Sequence, residues 1–411
     1  MPAPPRMHSL HVGGSVLALL VVCAPPASAQ TAAPAPDAAA TMRWGPLSLH
    51  STLALSNLGV DSNVFNRPAD TRLPSDFTLT FTPTTNLWLR MGQSWIDGTI
   101  QVDWVYFNRY ASERGTNSRY RMGVTRTFNR LRMNAWASRV STRVRPNFEI
   151  DARSQQFQKI FTGDVMYQML GTTSVGFKGL HRTTTFDQDA VFLGTRLAAE
   201  LNETAVSNSA VIRHALTPLT FVALEVGREN QRFFATSRNA DSNRVLGNVT
   251  LESPALISGN VTFGYRHFVP WDKNVPTYHG PTLLAGLSYR LRGTTRLRVD
   301  AMRDLQQSFD ASQPYFIQTG AVWSVQRQIV GPFDVLARLG RHRMAYRDRV
   351  GATVQISNRV DRMKSVGGGM GYRLGADKRV GFTLEYAERL SGIVARRYQG
   401  LQYGMSITYE R

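Results

Sequence analysis

The sequence lacks long apolar runs and contains a single cysteine. After the N-terminal region, no stretch approaches about eighteen consecutive apolar residues, which excludes a transmembrane helix in the rest of the chain. The cysteine, Cys23, lies in an N-terminal apolar stretch, Gly13–Ala24, that follows Arg6 and is too short to span a bilayer. Small residues end this region, in the order typical of a secretory signal. We therefore predict a signal peptide over residues 1–29, cleaved after Ala29, and a mature chain without thiols, disulfides or thiolate metal sites. A lipoprotein acylated at Cys23 is an alternative that the bulky preceding residue disfavours.

Acidic residues and lysine are scarce. The 411 residues include 48 Lys+Arg but only 29 Asp+Glu, for a net charge of +19, and only 5 of the 48 are Lys. Such a surface suits nucleic acid, anionic lipid or an anionic solute. Because no helical pattern carries a basic stripe, we expect no nucleic-acid binding.

Metal-ligand and nucleophile motifs are also missing. Six histidines follow the signal region, and none has a spacing such as H-x-x-x-H. A hydrolytic group built from Ser258, His267, Asp272 and His279 is conceivable, but no nucleophile signature accompanies it. We therefore predict no enzymatic activity, no cofactor and no metal.

The sequence does contain strand after strand of alternating polarity from Leu47 to Tyr409. In Arg379–Leu390, for example, Val380, Phe382 and Leu384 share one face. The strands run about 10–15 residues, longer than soluble strands and long enough for a membrane barrel. Eight short connections alternate with nine long polar ones, as periplasmic turns alternate with external loops in outer-membrane barrels.

These connections predict the fold class: an all-β chain forming a single transmembrane antiparallel β-barrel of about eighteen strands. Residues 192–214 could hold one strand or two, so sixteen remains an alternative. We assign residues 30–46 to a disordered periplasmic spacer and residues 47–411 to the barrel. The last strand resembles the C-terminal insertion signal of such barrels, carried by Gly404, Ile407 and Tyr409.

Residues 59–65, followed by Ser75-Asp76 and Thr82-Pro83, resemble the opening of a known family. This is the β-barrel porin type 2 family, which includes EpsL-like barrels associated with exopolysaccharide systems. The residues matched to its opening motif are Asp61, Asn63 and Phe65. The resemblance implies an outer-membrane barrel for polysaccharide export or a porin. For these motif residues, we favour a role in ending the first strand and ordering its loop over contact with a ligand.

Successive side chains of a strand point to opposite faces of the barrel wall, an alternation that we call strand parity. If the apolar side chains face lipid, a set of arginines falls on the lumenal face. A cation that faced lipid instead would cost about 2–4 kcal/mol at the midplane. These arginines are Arg119, Arg121, Arg266, Arg290, Arg292, Arg296, Arg298, Arg338, Arg373 and Arg379. They could bind anionic solutes in passage or pair with lumenal acids in wall-stiffening networks. The acids of the same face are Asp103, Asp300, Asp304, Asp334 and Glu385.

From this pattern we expect a passive outer-membrane conduit, most concretely for an exported anionic exopolysaccharide. The alternatives are a general anion-preferring diffusion porin and a non-conducting structural barrel of a secretion complex. Expected partners are outer-membrane lipid and lipopolysaccharide, the barrel-assembly machinery and periplasmic polysaccharide-export components.

Overall fold

The structure, a computed structural model, describes residues 36–68, 71–252, 255–375 and 377–410. The predicted signal peptide and its cleavage site lie outside the described residues. The described chain forms one closed antiparallel barrel of 18 strands, which confirms the predicted fold class. No described helix has the length and apolar character needed to cross a membrane.

The barrel strands follow one another around the ring in sequence order. We label them β1 (Leu47–Asp61), β2 (Asp76–Met91), β3 (Ser94–Phe107), β4 (Gly115–Phe128), β5 (Leu131–Val144), β6 (Ser154–Leu170), β7 (Thr173–Phe186), β8 (Glu203–Thr217), β9 (Thr220–Phe233), β10 (Ala240–Leu251), β11 (Ile257–Pro270), β12 (Tyr278–Leu291), β13 (Thr295–Gln307), β14 (Tyr315–Gln328), β15 (Phe333–Arg347), β16 (Val360–Leu374), β17 (Lys378–Leu390) and β18 (Tyr398–Glu410).

The ring closes where β18 pairs antiparallel with β1. Short turns join β2 to β3, β4 to β5 and so on at one end, and longer loops join the other strand pairs at the opposite end. Residues 192–214, which could have held two strands, contain the end of a long loop and most of one barrel strand, β8. The number of barrel strands is therefore eighteen. Because the strand number is even, β1 begins and β18 ends at the short-turn end.

Side chains alternate between lipid and lumen along each strand. On β4, for example, Tyr120 and Met122 are exposed on the outer face, while Arg119 and Arg121 point inward. The sequence of β5 suggests a change of face near Trp136, but the strand pairs regularly with both neighbours, and Trp136 faces inward with 8% exposure.

Part of the predicted disordered spacer forms structure. Met42–Trp44 form a short strand that pairs with the start of β1 through a turn at Gly45, whose φ of 57° suits glycine. Ser48 donates a hydrogen bond of 2.8 Å to the Asp37 carboxylate, which attaches the segment to the barrel.

The long loops pack against one another at their end of the barrel. The loop between β7 and β8 contains a two-stranded ribbon and a short helix, α1 (Leu197–Leu201). Leu197 and Phe192 of this loop form an apolar cluster with Ile150 and Phe309 of two other loops. Arg238, from a fourth loop, donates hydrogen bonds to Glu200 of α1 and to the Ser308 carbonyl. The loops therefore form an interlocked cap.

Candidate functional site

The loop between β5 and β6, residues 145–153, folds into the barrel. We call it the crossing loop. Its Phe148 ring lies against His342 of β15, with ring centroids 4.5 Å apart. Glu149 and Ile150 are fully buried. The loop therefore reaches across the lumen instead of projecting from the end of the barrel.

The tip of the crossing loop is held by a buried group of charges that we call the latch network. It contains Glu149, Asp151, Arg359, Asp361, Arg389 and Arg396. Arg389, which is fully buried, donates hydrogen bonds to the Phe148 carbonyl, at 3.0 Å, and to Asp151 and Asp361, at 3.0 and 2.6 Å. Ser308 donates a 2.7 Å hydrogen bond to the Glu149 carboxylate, and Arg396 donates to the Glu149 carbonyl. Three carboxylates match three guanidinium groups.

The two ends of the crossing loop are tied to the first loop of the barrel. Arg145 and Arg153 each donate a hydrogen bond of 2.8 Å to the Val64 carbonyl. Arg153 also lies 3.8 Å from the Asp61 carboxylate and 3.1 Å from the Glu113 carboxylate. Residues of the resembled opening motif therefore contact the base of the crossing loop.

The other motif residues order the first loop. Asn63 is buried, and its amide donates hydrogen bonds of 2.8 Å to the Arg67 and Gln399 carbonyls. Its own backbone N–H donates to the Asp61 carboxylate. Phe65 packs edge-to-face on Tyr110, with centroids 4.9 Å apart. All of these contacts are within the chain.

A cavity of about 950 Å³ occupies the lumen between the crossing loop and the short-turn end. Asn147 and Phe148 line it at the loop, and Arg379 and Thr408 line it near the turns. Seven of the predicted arginines lie on or beside its wall, and six of them are grouped on β12, β13 and β15–β17. We call this group the arginine wall: Arg290, Arg296, Arg298, Arg338, Arg373 and Arg379.

Arginine is in excess over acids in the arginine wall. Asp300 accepts hydrogen bonds of 2.7 and 2.8 Å from Arg298, and Asp334 accepts 3.0 and 2.6 Å bonds from Arg379. Glu385 lies 3.7 Å from Arg338. The arginine wall therefore contains three acids for six arginines. The strand register also places Arg290 opposite Arg296 and Arg373 opposite Arg379.

Glycine makes room for the arginine wall. A Cβ atom on Gly371 of β16 would lie 2.1 Å from the guanidinium of Arg379 on the adjacent strand. The absence of a side chain therefore lets Arg379 lie across β16 and reach Asp334 of β15.

Two other predicted arginines pair within the barrel wall. Arg119 lies 3.0 Å from Asp103. Arg266, which is 2% exposed, lies 3.2 Å from Asp304 and 3.3 Å from Glu229. Each of the five predicted lumenal acids thus has an arginine partner, and for Arg119 and Arg266 the contacts are those of a structural network.

The last two predicted arginines differ from the rest. Arg121 faces the lumen and stacks on the Trp136 ring, with the guanidinium carbon 3.8 Å from the ring centroid. Arg292 is not on a strand: it occupies the turn between β12 and β13 with a φ of 49°, so strand parity does not place it on the lumenal face.

The predicted insertion signal lies on the closing strand. Gly404 of β18 pairs with Gly59 of β1, while Ile407 and Tyr409 follow on the outer face. Glu410 continues the strand opposite Thr52. Within the described ranges, no group of three or more His, Asp or Glu side chains is arranged to hold a metal ion.

Residues 38–411 match the family described as "Putative beta-barrel porin 2". The chain belongs to this family. The match confirms the resemblance seen at the opening motif and supports a porin-like barrel of the bacterial outer membrane. No curated protein matches the chain.

Solved structures with a similar fold are outer-membrane proteins of low sequence identity. A BenF-like porin from Pseudomonas fluorescens Pf-5 has a TM-score of 0.50 and 9% identity, with 89% of this chain and 98% of that chain covered. OpdK with vanillate, from Pseudomonas aeruginosa, has a TM-score of 0.46 and 11% identity, with 88% and 98% covered. A bacterial polysaccharide outer membrane secretin has a TM-score of 0.33 and 9% identity, with 88% and 98% covered.

Sequence reasoning missed the crossing loop, the latch network and the lumenal tryptophans. Trp88, Trp95 and Trp136 face the lumen. The sequence around Trp88 and Trp95 could have indicated this orientation. Each tryptophan lies two residues from a polar residue on the same strand face, Arg90 for Trp88 and Asp97 for Trp95. For the latch network, local sequence offers no signal.

Proposed function

We propose that this barrel is a passive outer-membrane channel that prefers small anionic solutes bearing carboxylate or phosphate groups. The observation that carries the proposal is the arginine wall: its six arginines are accompanied by three acids, and the whole cavity lining has ten arginines and seven acids. A cation-lined passage between the low-dielectric walls of a protein concentrates anions and lowers their entry barrier. Guanidinium groups bind carboxylate and phosphate oxygens in pairs, so a ladder of them offers successive weak sites.

The crossing loop favours a small solute over a polymer. It reaches across the lumen, and the interlocked cap lies on its outer side. An exported polysaccharide chain would have to displace both. Export of an anionic exopolysaccharide stays a prediction, and neither the family nor the cavity favours it over the diffusion channel.

The test is single-channel recording of the refolded barrel in a planar bilayer with a KCl gradient. We expect a reversal potential that reports anion preference. The variant Arg290→Gln/Arg373→Gln should lower the anion-to-cation permeability ratio by about twofold to fivefold, because two lumenal charges are removed. As a matched control, Arg126→Gln/Arg327→Gln removes two charges from the outer face near the same end of the barrel and should leave the ratio unchanged.

Four outcomes would contradict the proposal. Cation preference in the unaltered barrel would exclude an anion channel. An equal loss of selectivity in the control variant would assign the effect to net charge, not to the lumen. A folded barrel without conductance would favour the non-conducting structural role. Steps blocked only by an acidic oligosaccharide, and not by small dicarboxylates, would favour polymer export.

A further inference from the structure

The outer face of the barrel carries a cluster of four exposed cations on two adjacent strands. On β15 they are Arg341 and Arg343, and on β16 they are Arg362 and Lys364. All four lie on the outer face of their strands, as do the exposed residues Leu339 of β15 and Val366 of β16. We call them the outer cation cluster.

The strand register brings like charges together. Arg341 lies directly opposite Lys364, and Arg343 directly opposite Arg362. Like charges in directly opposed positions destabilise a sheet. None of the four makes an ion pair or a side-chain hydrogen bond within the described part of the chain. Within the described chain, no ion pair or side-chain hydrogen bond therefore relieves this repulsion.

The neighbouring side chains leave the cluster open. On the β14 side, Ala321 lies opposite Arg341 and Thr319 opposite Arg343. On the β17 side, Glu388 lies opposite Lys364 and Leu390 opposite Arg362. Glu388 is the one acid in these two rows of β14–β17, so the cluster keeps a local excess of three positive charges.

The depth of the cluster fits the edge of the membrane. Below it on the outer face of β15 lie four apolar residues, from Phe333 to Leu339, and Phe333 packs edge-to-face on Tyr372 at the lower boundary. Eight residues from Phe333 to Arg341 span about 26 Å along the strand, or about 20 Å of height at the usual tilt. The four cations therefore begin where the apolar band ends.

They lie at the long-loop end, which faces the exterior in an outer-membrane barrel. We infer that the outer cation cluster is a binding site for the phosphate groups of a glycolipid in the outer leaflet. Opposed side chains lie about 5 Å apart, and residues two apart on a strand about 7 Å, so four cations surround a space suited to one phosphate group. Arginine binds phosphate oxygens bidentately, and lysine adds a point charge. Occupation of the site would neutralise the opposed charges, and the acyl chains would lie along the apolar rows below.

The test uses the refolded full barrel in detergent, titrated with bisphosphorylated lipid A and followed by native mass spectrometry. We expect Arg343→Gln/Arg362→Gln to weaken binding at least tenfold. Removal of both phosphates from the lipid should weaken binding to the unaltered barrel to the same extent. The matched control is Arg126→Gln/Lys378→Gln, which removes two outward cations at the opposite end of the barrel and should change the affinity less than twofold.

Two further arms keep the result interpretable. Because the acyl chains should contribute to binding, millimolar inorganic phosphate should displace lipid A from the outer cation cluster only weakly. If inorganic phosphate bound as strongly as lipid A, the assignment of the site to a lipid would be overturned. The variant should fold with an unchanged or higher thermal midpoint, since it removes a repulsion, and a clear decrease would overturn that premise. Unchanged binding by the variant, an equal loss in the control, or undiminished binding of the dephosphorylated lipid would each overturn the site.

Discussion

The latch network and the arginine wall lie in the same lumen but differ in charge balance. In the latch network, three carboxylates match three guanidinium groups, and Arg389 is fully buried between Asp151 and Asp361. In the arginine wall, three acids, Asp300, Asp334 and Glu385, accompany six arginines, five of which line the cavity. Matched, desolvated charges hold a segment in one place, because each charge left alone would be costly. An excess of arginine over acids beside a cavity attracts mobile anions. The ratio of acids to arginines therefore separates the structural region from the candidate path.

Of the changes that test this difference between the two regions, Arg389→Ala should have the largest effect on stability. The change leaves the Asp151 carboxylate and the fully buried Asp361 carboxylate without their main partner, and we expect a loss of about 3–5 kcal/mol in the free energy of unfolding. Urea unfolding of the refolded barrel in detergent measures it. Arg373→Ala in the arginine wall is the matched comparison and should cost less than about 1 kcal/mol. Equal losses at the two sites would remove the distinction between the regions.

An intermediate effect is expected from Arg153→Ala at the base of the crossing loop. The change removes the hydrogen bond to the Val64 carbonyl and the ion pairs with Asp61 and Glu113, a loss of about 1–3 kcal/mol for the docked loop. Single-channel records should then show more frequent excursions to higher conductance.

Arg114→Ala serves as the control for this measurement. Arg114 lies in the loop after β3 and donates to the carbonyls of Phe107 and Asn108 without contacting the crossing loop. If the control raised the excursion frequency as much as Arg153→Ala, the excursions would not report release of the crossing loop.

The smallest effect concerns pH. Burial raises the pKa of the Glu149 carboxyl above its ordinary value of 4.5, although Arg396 and Arg359 lie beside it. The docked loop thus binds this proton more tightly than a released loop would. Docking should strengthen as the pH falls from the raised pKa toward 4.5 and weaken as the pH rises through that window. We expect fewer high-conductance excursions at lower pH.

Glu149→Gln tests this assignment because it removes the titrating group while keeping the side-chain volume. Its excursion frequency should no longer depend on pH within that window. A pH trend that persists in this variant would assign the titration to a group other than Glu149.

Most of the barrel could be predicted from the sequence because its contacts are local. Each strand from β2 to β17 pairs with its neighbours in the chain, and both alternation and turn length can be read in consecutive residues. The crossing loop could not be predicted in this way. The bond from Arg389 to the Glu149 carbonyl joins residues 240 positions apart, and no periodic signal links them.

The candidate site was predicted in part. Parity placed nine arginines on inward-facing positions and failed for Arg292, because a turn residue has no strand face. Parity did not reveal which arginines are neutralised: Glu229, the second partner of Arg266, was not among the expected lumenal acids. Pairing depends on which strands are neighbours and at what height, and composition does not contain that information.

Closure of the ring by its first and last strands imposes an order on folding. Hairpins between sequential strands need only short loops to form and can accumulate as the chain extends. The base of the crossing loop has partners early in the chain, at Val64, Asp61 and Glu113, but the tip reaches Asp361 and Arg389 only when β16 and β17 have been placed. The latch network is therefore complete only when the last strands of the barrel have joined.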